Sequence, residues 1–157
     1  MASRTTARVA SASTAPDPAV LLQAAQRLAA GFSALCGDLP NVFSEGNPAG
    51  RVFHRWTLPL DAGTVLSADS LAKALKLRAP RHVDLVDGAD RLQLDPDDDG
   101  ADVALGYRLL AQAMQATLGE VHIAWVRGGP SASVPTYVFG RLQGGPLAGV
   151  RVVTVET

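Results

Sequence analysis

The chain has 157 residues, 47% of them hydrophobic, which suits one domain with one core, since about 100–150 residues is the commonest domain size. Lys and Arg number 14 against 15 for Asp and Glu, a net charge of -1, and a general nucleic-acid binder would carry a marked basic excess. The lone Cys36 excludes a disulfide within the chain and a cysteine-based metal cage, as in a reducing cytoplasm.

No apolar run approaches the ~20 residues of a membrane span, so no membrane association is expected. Residues 1–16 are rich in Ala, Ser and Thr, with Arg4 and Arg8 and no acid. That composition is shared by transit peptides but lacks a secretory apolar segment, and a flexible tail over 1–16 is the expectation, leaving 17–157 as a single domain.

Asp17-Pro18 opens a helix, an N-cap followed by proline at the first helical position. Leu21, Ala25, Leu28, Phe32 and Leu35 recur at steps of three and four and predict its buried stripe, and Gly37 ends it. Pro40, Asn41, Gly46, Asn47, Pro48 and Gly50 then put Ser44 and Glu45 on a loop, where binding groups concentrate. Arg51 to Leu60 reads as a first strand, closed by Pro59 and the turn Asp61-Ala62-Gly63. Ser67 and Ser70 open a short helix to about Leu77, with Leu71, Ala74 and Leu75 inward, and Val83 to Val86 is a short strand.

Asp95 to Gly100 is expected to be a loop rich in helix caps. From Ala101 to Thr117 the positions Val103, Tyr107, Leu110 and Met114 follow helical spacing, and Asp98, Asp99 and Asp102 suit the positive end of that helix. Gly119 stops it, and three strands follow: one from Glu120 to Val126 with Val121, Ile123 and Trp125 inward, one around Tyr137 to Gly140, and one from Val150. The turns between them, Gly128-Gly129-Pro130 and Gln143-Gly144-Gly145-Pro146, make them antiparallel. This order predicts an α+β sandwich, a mainly antiparallel sheet covered by helices.

The charges are segregated. Asp84, Asp87, Asp90, Asp95, Asp97, Asp98, Asp99 and Asp102 stand against Arg91 alone, a charge of -7 between residues 84 and 102. Two readings stay open, capping plus solvation or a docking face for a basic partner. Asp95 to Asp99 looks like a calcium loop but has Gly106 where the twelfth-place glutamate belongs. His54, His82 and His122 are widely separated, without a helical pair or a cysteine partner, and read as structural. No nucleophile elbow or phosphate-cradling loop occurs, so an enzyme is not expected. Trp56, Trp125, Tyr137 and Phe139 are assigned to strand packing, the last two to the core or to opposite faces of their strand. Arg51, Arg55, Arg141 and Arg151 either form a basic sheet face or merely solvate the surface.

Tyr137, Val138, Gly140, Gly145, Leu147, Ala148, Gly149 and the closing Val155-Glu156-Thr157, with Ser44-Glu45 and Val52-Phe53 as a second match, resemble the nuclease A inhibitor family. These are intracellular proteins that block a DNA/RNA non-specific, metal-dependent endonuclease. The resemblance implies a helix-sheet-helix sandwich similar to the pathogenesis-related protein 1-like fold, a cytoplasmic location, no cofactor of its own and no direct contact with nucleic acid. It also implies that Thr157, assisted by Glu45, reaches a magnesium ion contributed by the nuclease; Glu156 is assigned a supporting role in that contact, and the charge segregation makes Asp97, Asp98 and Asp99 candidates for steering the nuclease. By strand alternation Glu156 is expected to point away from Thr157. The chain departs from the family between Leu94 and Gly100, where an acid-tryptophan pair is replaced by aspartates without an aromatic. A binding or scaffold module of the same fold, without a nuclease target, is the alternative.

Overall fold

The computed structural model describes residues 16–43 and 53–156. The tail expected over 1–16 therefore lies, apart from Pro16, outside the described residues, as do Ser44, Glu45, Pro48, Arg51, Val52 and Thr157.

The protein is α+β, and five antiparallel strands form its sheet. The elements in chain order are α1 (Pro18–Cys36), β1 (His54–Leu58), α2 (Ala68–Ala74), β2 (His82–Asp87), a 3-10 turn (Asp90–Leu92), α3 (Pro96–Asp99), α4 (Ala101–Leu118), β3 (His122–Arg127), β4 (Ser133–Arg141) and β5 (Leu147–Val155). Every neighbouring pair in the sheet order β1-β5-β4-β3-β2 is antiparallel. The three last strands, joined by short turns, fill the middle, and the two early strands form the edges.

Strand alternation sends successive side chains to opposite faces, and each face has its own core. On one, Ile123, Trp125, Val138, Val150 and Val152 meet Ala25, Phe32 and Cys36 of α1 and Tyr107, Leu110, Ala111 and Met114 of α4. On the other, Val83, Ala124, Val126, Tyr137, Phe139 and Leu147 meet Leu71 of α2. Helices thus cover both faces of the sheet. Tyr137 and Phe139, two residues apart, share one face, so the alternative of opposite faces is discarded.

Local chemistry explains the helix ends. The Asp17 carboxylate accepts from the Ala19 amide, and Gly37 closes α1 with a positive φ of 50°. Ser67 and Ser70 form a reciprocal capping box, but a helix of seven residues is marginal by itself. The fully buried Leu71 holds α2 to the sheet, and its removal would cost about 2–5 kcal/mol.

Two expectations are corrected. Leu35 is 45% exposed, and Cys36 takes its place in the stripe of Ala25, Ala29 and Phe32. The expected loop from Asp95 to Gly100 contains the helical turn α3, whose N-cap Asp95 accepts from the Asp97 amide. By length and composition α1, 19 residues long, is apolar enough to cross a membrane, although its buried stripe packs on the sheet.

Gly149 is required by close approach. It lies in register with Trp56 on one side and Phe139 on the other, and those rings meet edge-on with centroids 5.6 Å apart. A Cβ at 149 would run into the Val138 carbonyl oxygen and Phe139 Cα, so this glycine of the family-like block has a packing role.

Candidate interaction site

The two residues that flank 44–52 meet on one side chain. Phe43, before the undescribed stretch 44–52, and Phe53, after it, both set ring edges against Tyr107, at centroid distances of 5.9 and 6.1 Å. The Tyr107 hydroxyl donates to the Pro40 carbonyl at 2.5 Å and accepts from the Val42 amide at 3.3 Å. Burial raises its pKa, assisted weakly by the charge of Asp99, so it stays a donor. Ser33 Oγ of α1 adds a hydrogen bond of 3.0 Å to the Phe53 carbonyl.

The segment that ends at Phe43 is fastened to the last strand. Asn41, 2% exposed, donates through Nδ2 to the Val153 carbonyl at 3.1 Å and to Thr154 Oγ1 at 3.3 Å, while its Oδ1 accepts from the Phe43 amide. Thr136 Oγ1 of β4 donates to Thr154 Oγ1 at 2.7 Å. The side chains of Asn41, Thr136 and Thr154, all buried, satisfy one another, which buried polar groups require.

Beyond β5 the chain is held again. The Glu156 amide donates to the Ala132 carbonyl, and the Glu156 carboxylate receives Arg127 Nε at 2.9 Å and Nη2 at 2.6 Å. Arg127 Nη1 donates to Asp84 Oδ2 of β2 at 2.7 Å. Hydrogen bonds from Arg127 hold the Glu156 carboxyl below its ordinary range, and donating to Glu156 and Asp84 raises the arginine further. The Arg127 guanidinium lies 5.0 Å from the Trp125 ring centroid, with Arg91 at 5.7 Å and the Phe43 ring edge-on at 6.3 Å. Trp125 thereby touches both the loop start and the group that grips the strand end.

Of the residues singled out in the sequence, Glu156 is found in this ion pair, 26% exposed at its side chain. Asp97, Asp98 and Asp99 are exposed on α3, which runs into α4, the helix that carries Tyr107. Glu45 and Thr157 lie outside the described residues. Gly100 stands at the sixth place from Asp95, but its φ of 94° and ψ of 148° close α3, and no group of three His, Cys, Asp or Glu side chains fit to hold a metal occurs among the described residues.

The histidines do not converge. His54 and His82 lie on opposite edge strands, and His122 Nε2 is paired with Glu120 at 2.6 Å. Trp125 is 8% exposed and Trp56 is half-buried against Tyr137, so packing accounts for both. Among the described residues the suggested basic sheet face does not form: Arg55 and Arg151 lie on opposite faces of the sheet, and Arg141 is turned into the carbonyls of Gly145, Thr64 and Asp61.

Asn41, Tyr107, Arg127 and Thr154 build the site, and none was singled out for it from the sequence. One signal was present. Thr136 and Thr154 occupy core-facing positions among valines, and a hydroxyl in a core stripe announces a buried partner. No family model matches the chain, and no curated protein matches it.

Proposed function

We propose that this protein is a non-enzymatic inhibitor of a metal-dependent, non-specific DNA/RNA endonuclease, with the 44–52 loop and the end of β5 as its contact surface. The observation that carries the reading is the Asn41 side chain, which fastens the segment before residue 44 to the strand that leads into Glu156. Residues 113 apart in sequence are held side by side, as a composite inhibitory surface needs.

The chemistry follows from the ligand preferences of the target. Magnesium takes oxygen ligands and keeps several waters. A terminal carboxylate, with a pKa of about 3.3–3.7, is ionised at neutral pH and replaces a metal-bound water. Thr157, with Glu45 beside it, would then occupy the place where a scissile phosphate binds, and a group that cannot be cleaved blocks the centre. The metal belongs to the nuclease, and the inhibitor brings no cofactor. A short rigid lead into the contact limits the entropy lost on binding.

A second reading, a binding or scaffold module without a nuclease target, is favoured by one feature: between Leu94 and Gly100 there are exposed aspartates and no aromatic. A lost aromatic anchor weakens an interface by about 2 kcal/mol or more. Purified chain is to be titrated against magnesium-dependent nucleases of this class. Two glycines appended after Thr157, and separately Glu45→Ala, should each weaken inhibition. Full inhibition by both variants removes the mechanism, and no inhibition by the parent chain favours the scaffold reading.

A further inference from the structure

We propose that Arg127 is a positioning residue that fixes the direction in which the chain leaves β5 and couples that direction to Phe43 through Trp125. Its functional half rests on the inhibitor reading above; its structural half does not.

Three features carry it. First, the guanidinium uses both of its edges: Nε and Nη2 grip Glu156, and Nη1 grips Asp84. A planar fork can do this and a lysine ammonium cannot. Second, the grip spans the sheet. Arg127 stands on β3, Asp84 on the adjacent β2, and Glu156 follows β5, which is separated from β3 by β4. Such a tie acts on the exit of β5 itself, because the neighbouring ladder already holds the body of that strand. Third, the guanidinium carbon lies over Trp125, 5.0 Å from its ring centroid, and that ring also meets Phe43. A cation over an indole face is attracted to it, so one side chain is fixed by two carboxylates and a ring that meets Phe43.

Strand ends fray when nothing ties them down. Arg127 supplies the tie at Glu156.

The test measures amide exchange at Glu156, whose N–H donates to the Ala132 carbonyl, in Arg127→Met, Arg127→Lys, Glu156→Gln and, as control, Arg55→Met. Both Arg127 variants and Glu156→Gln should speed exchange at residue 156 about tenfold without a matching change across β3 and β4, whereas Arg55→Met leaves it unchanged. Lysine should not rescue. Exchange in Arg127→Met and Glu156→Gln within about twofold of the parent, or full rescue by lysine, overturns the proposal. Against a magnesium-dependent nuclease that the parent inhibits, Arg127→Met should raise the dissociation rate about tenfold and leave association nearly unchanged. Unaltered dissociation with accelerated exchange overturns the coupling to the contact surface. If the parent inhibits no nuclease, the inhibitor reading fails by itself, and exchange at residue 156 still decides whether Arg127 positions the strand end.

Discussion

Asn41 Nδ2 donates to Thr154 Oγ1 across 3.3 Å, and the two residues stand 113 positions apart. One is in a loop full of helix and strand breakers, the other on the core-facing side of the last strand. Between them they fix the segment that ends at Phe43 against the end of β5.

Asn41→Ala would leave the Val153 carbonyl and the Phe43 amide without their Asn41 partner, and Thr154 Oγ1 with Thr136 alone. Each buried unsatisfied group costs about 1–3 kcal/mol. A loss of about 2–4 kcal/mol in urea unfolding is therefore expected, with partial solvation of the loop keeping it below the sum. Thr154→Val should couple with it by at least about 0.5 kcal/mol in a double-mutant cycle. Additive losses would show that the two side chains act independently.

Tyr107→Phe is the complementary change. It keeps the ring against which Phe43 and Phe53 set their edges and removes only the hydroxyl between the Pro40 carbonyl and the Val42 amide. The fold should survive with a loss of about 1–3 kcal/mol. Amide exchange at Val42 should accelerate far more than exchange in β3 or β4. A uniform change across the sheet would mean that Tyr107 serves the core in general and the loop only incidentally.

Much of this fold was legible in the sequence. Asp17-Pro18, Ser67 with Ser70, and Gly119 mark helix ends through contacts made within four residues, so they can be read from the letters alone. The turns around Gly128 and Gly144, both with positive φ, are equally local. The site was less legible because its bonds are long-range. Asn41 looks like any turn residue until Thr154 is beside it, and Arg127 looks like a solvated strand end until Glu156 arrives from two strands away. Leu35 and Cys36 show the limit of periodicity: steps of three and four allow either to continue the stripe from Phe32, and packing against the sheet chose the cysteine. Glu45 was placed on a loop by the breakers around it, but its proposed role at a metal, and that of Thr157, came from the resemblance.

Cys36 gives a pH prediction. Burial pushes its thiol up to about 12, whereas an exposed cysteine titrates near 8.5. The folded state thus retains a proton that the unfolded state loses. Stability from this group is fully present below about pH 8.5 and falls above it by at most about 1.4 kcal/mol per pH unit until the folded thiol itself ionises. The parent should lose stability relative to Cys36→Ala between about pH 8.5 and 11. Iodoacetamide at pH 8 should label the native thiol roughly a thousandfold more slowly than in urea, because the reagent must await opening. Rapid labelling of the native chain would contradict the burial on which both statements rest.

The acids on α3 separate the two readings of the charged segment. Asp97, Asp98 and Asp99 are exposed in the first turn of a four-residue helix whose cap, Asp95, is a different residue. Replacing all three by Asn therefore leaves the Asp95 cap in place and removes three negative charges near the α4 end of the molecule. If they serve only solvation and the helix dipole, the triple variant loses about 0.3–1 kcal/mol per charge at most and binds a basic partner as fast as the parent does. If they steer docking, association with a nuclease whose cleft attracts phosphates should slow about three- to tenfold at low salt. The difference should shrink as salt shortens the screening length toward ~3 Å at 1 M. Dissociation should hardly change, because exposed charges act on the approach and contribute little to the closed contact. Stopped-flow association at several salt concentrations measures both limbs. An on-rate at low salt that matches the parent's would leave the aspartates with solvation and helix-dipole roles alone.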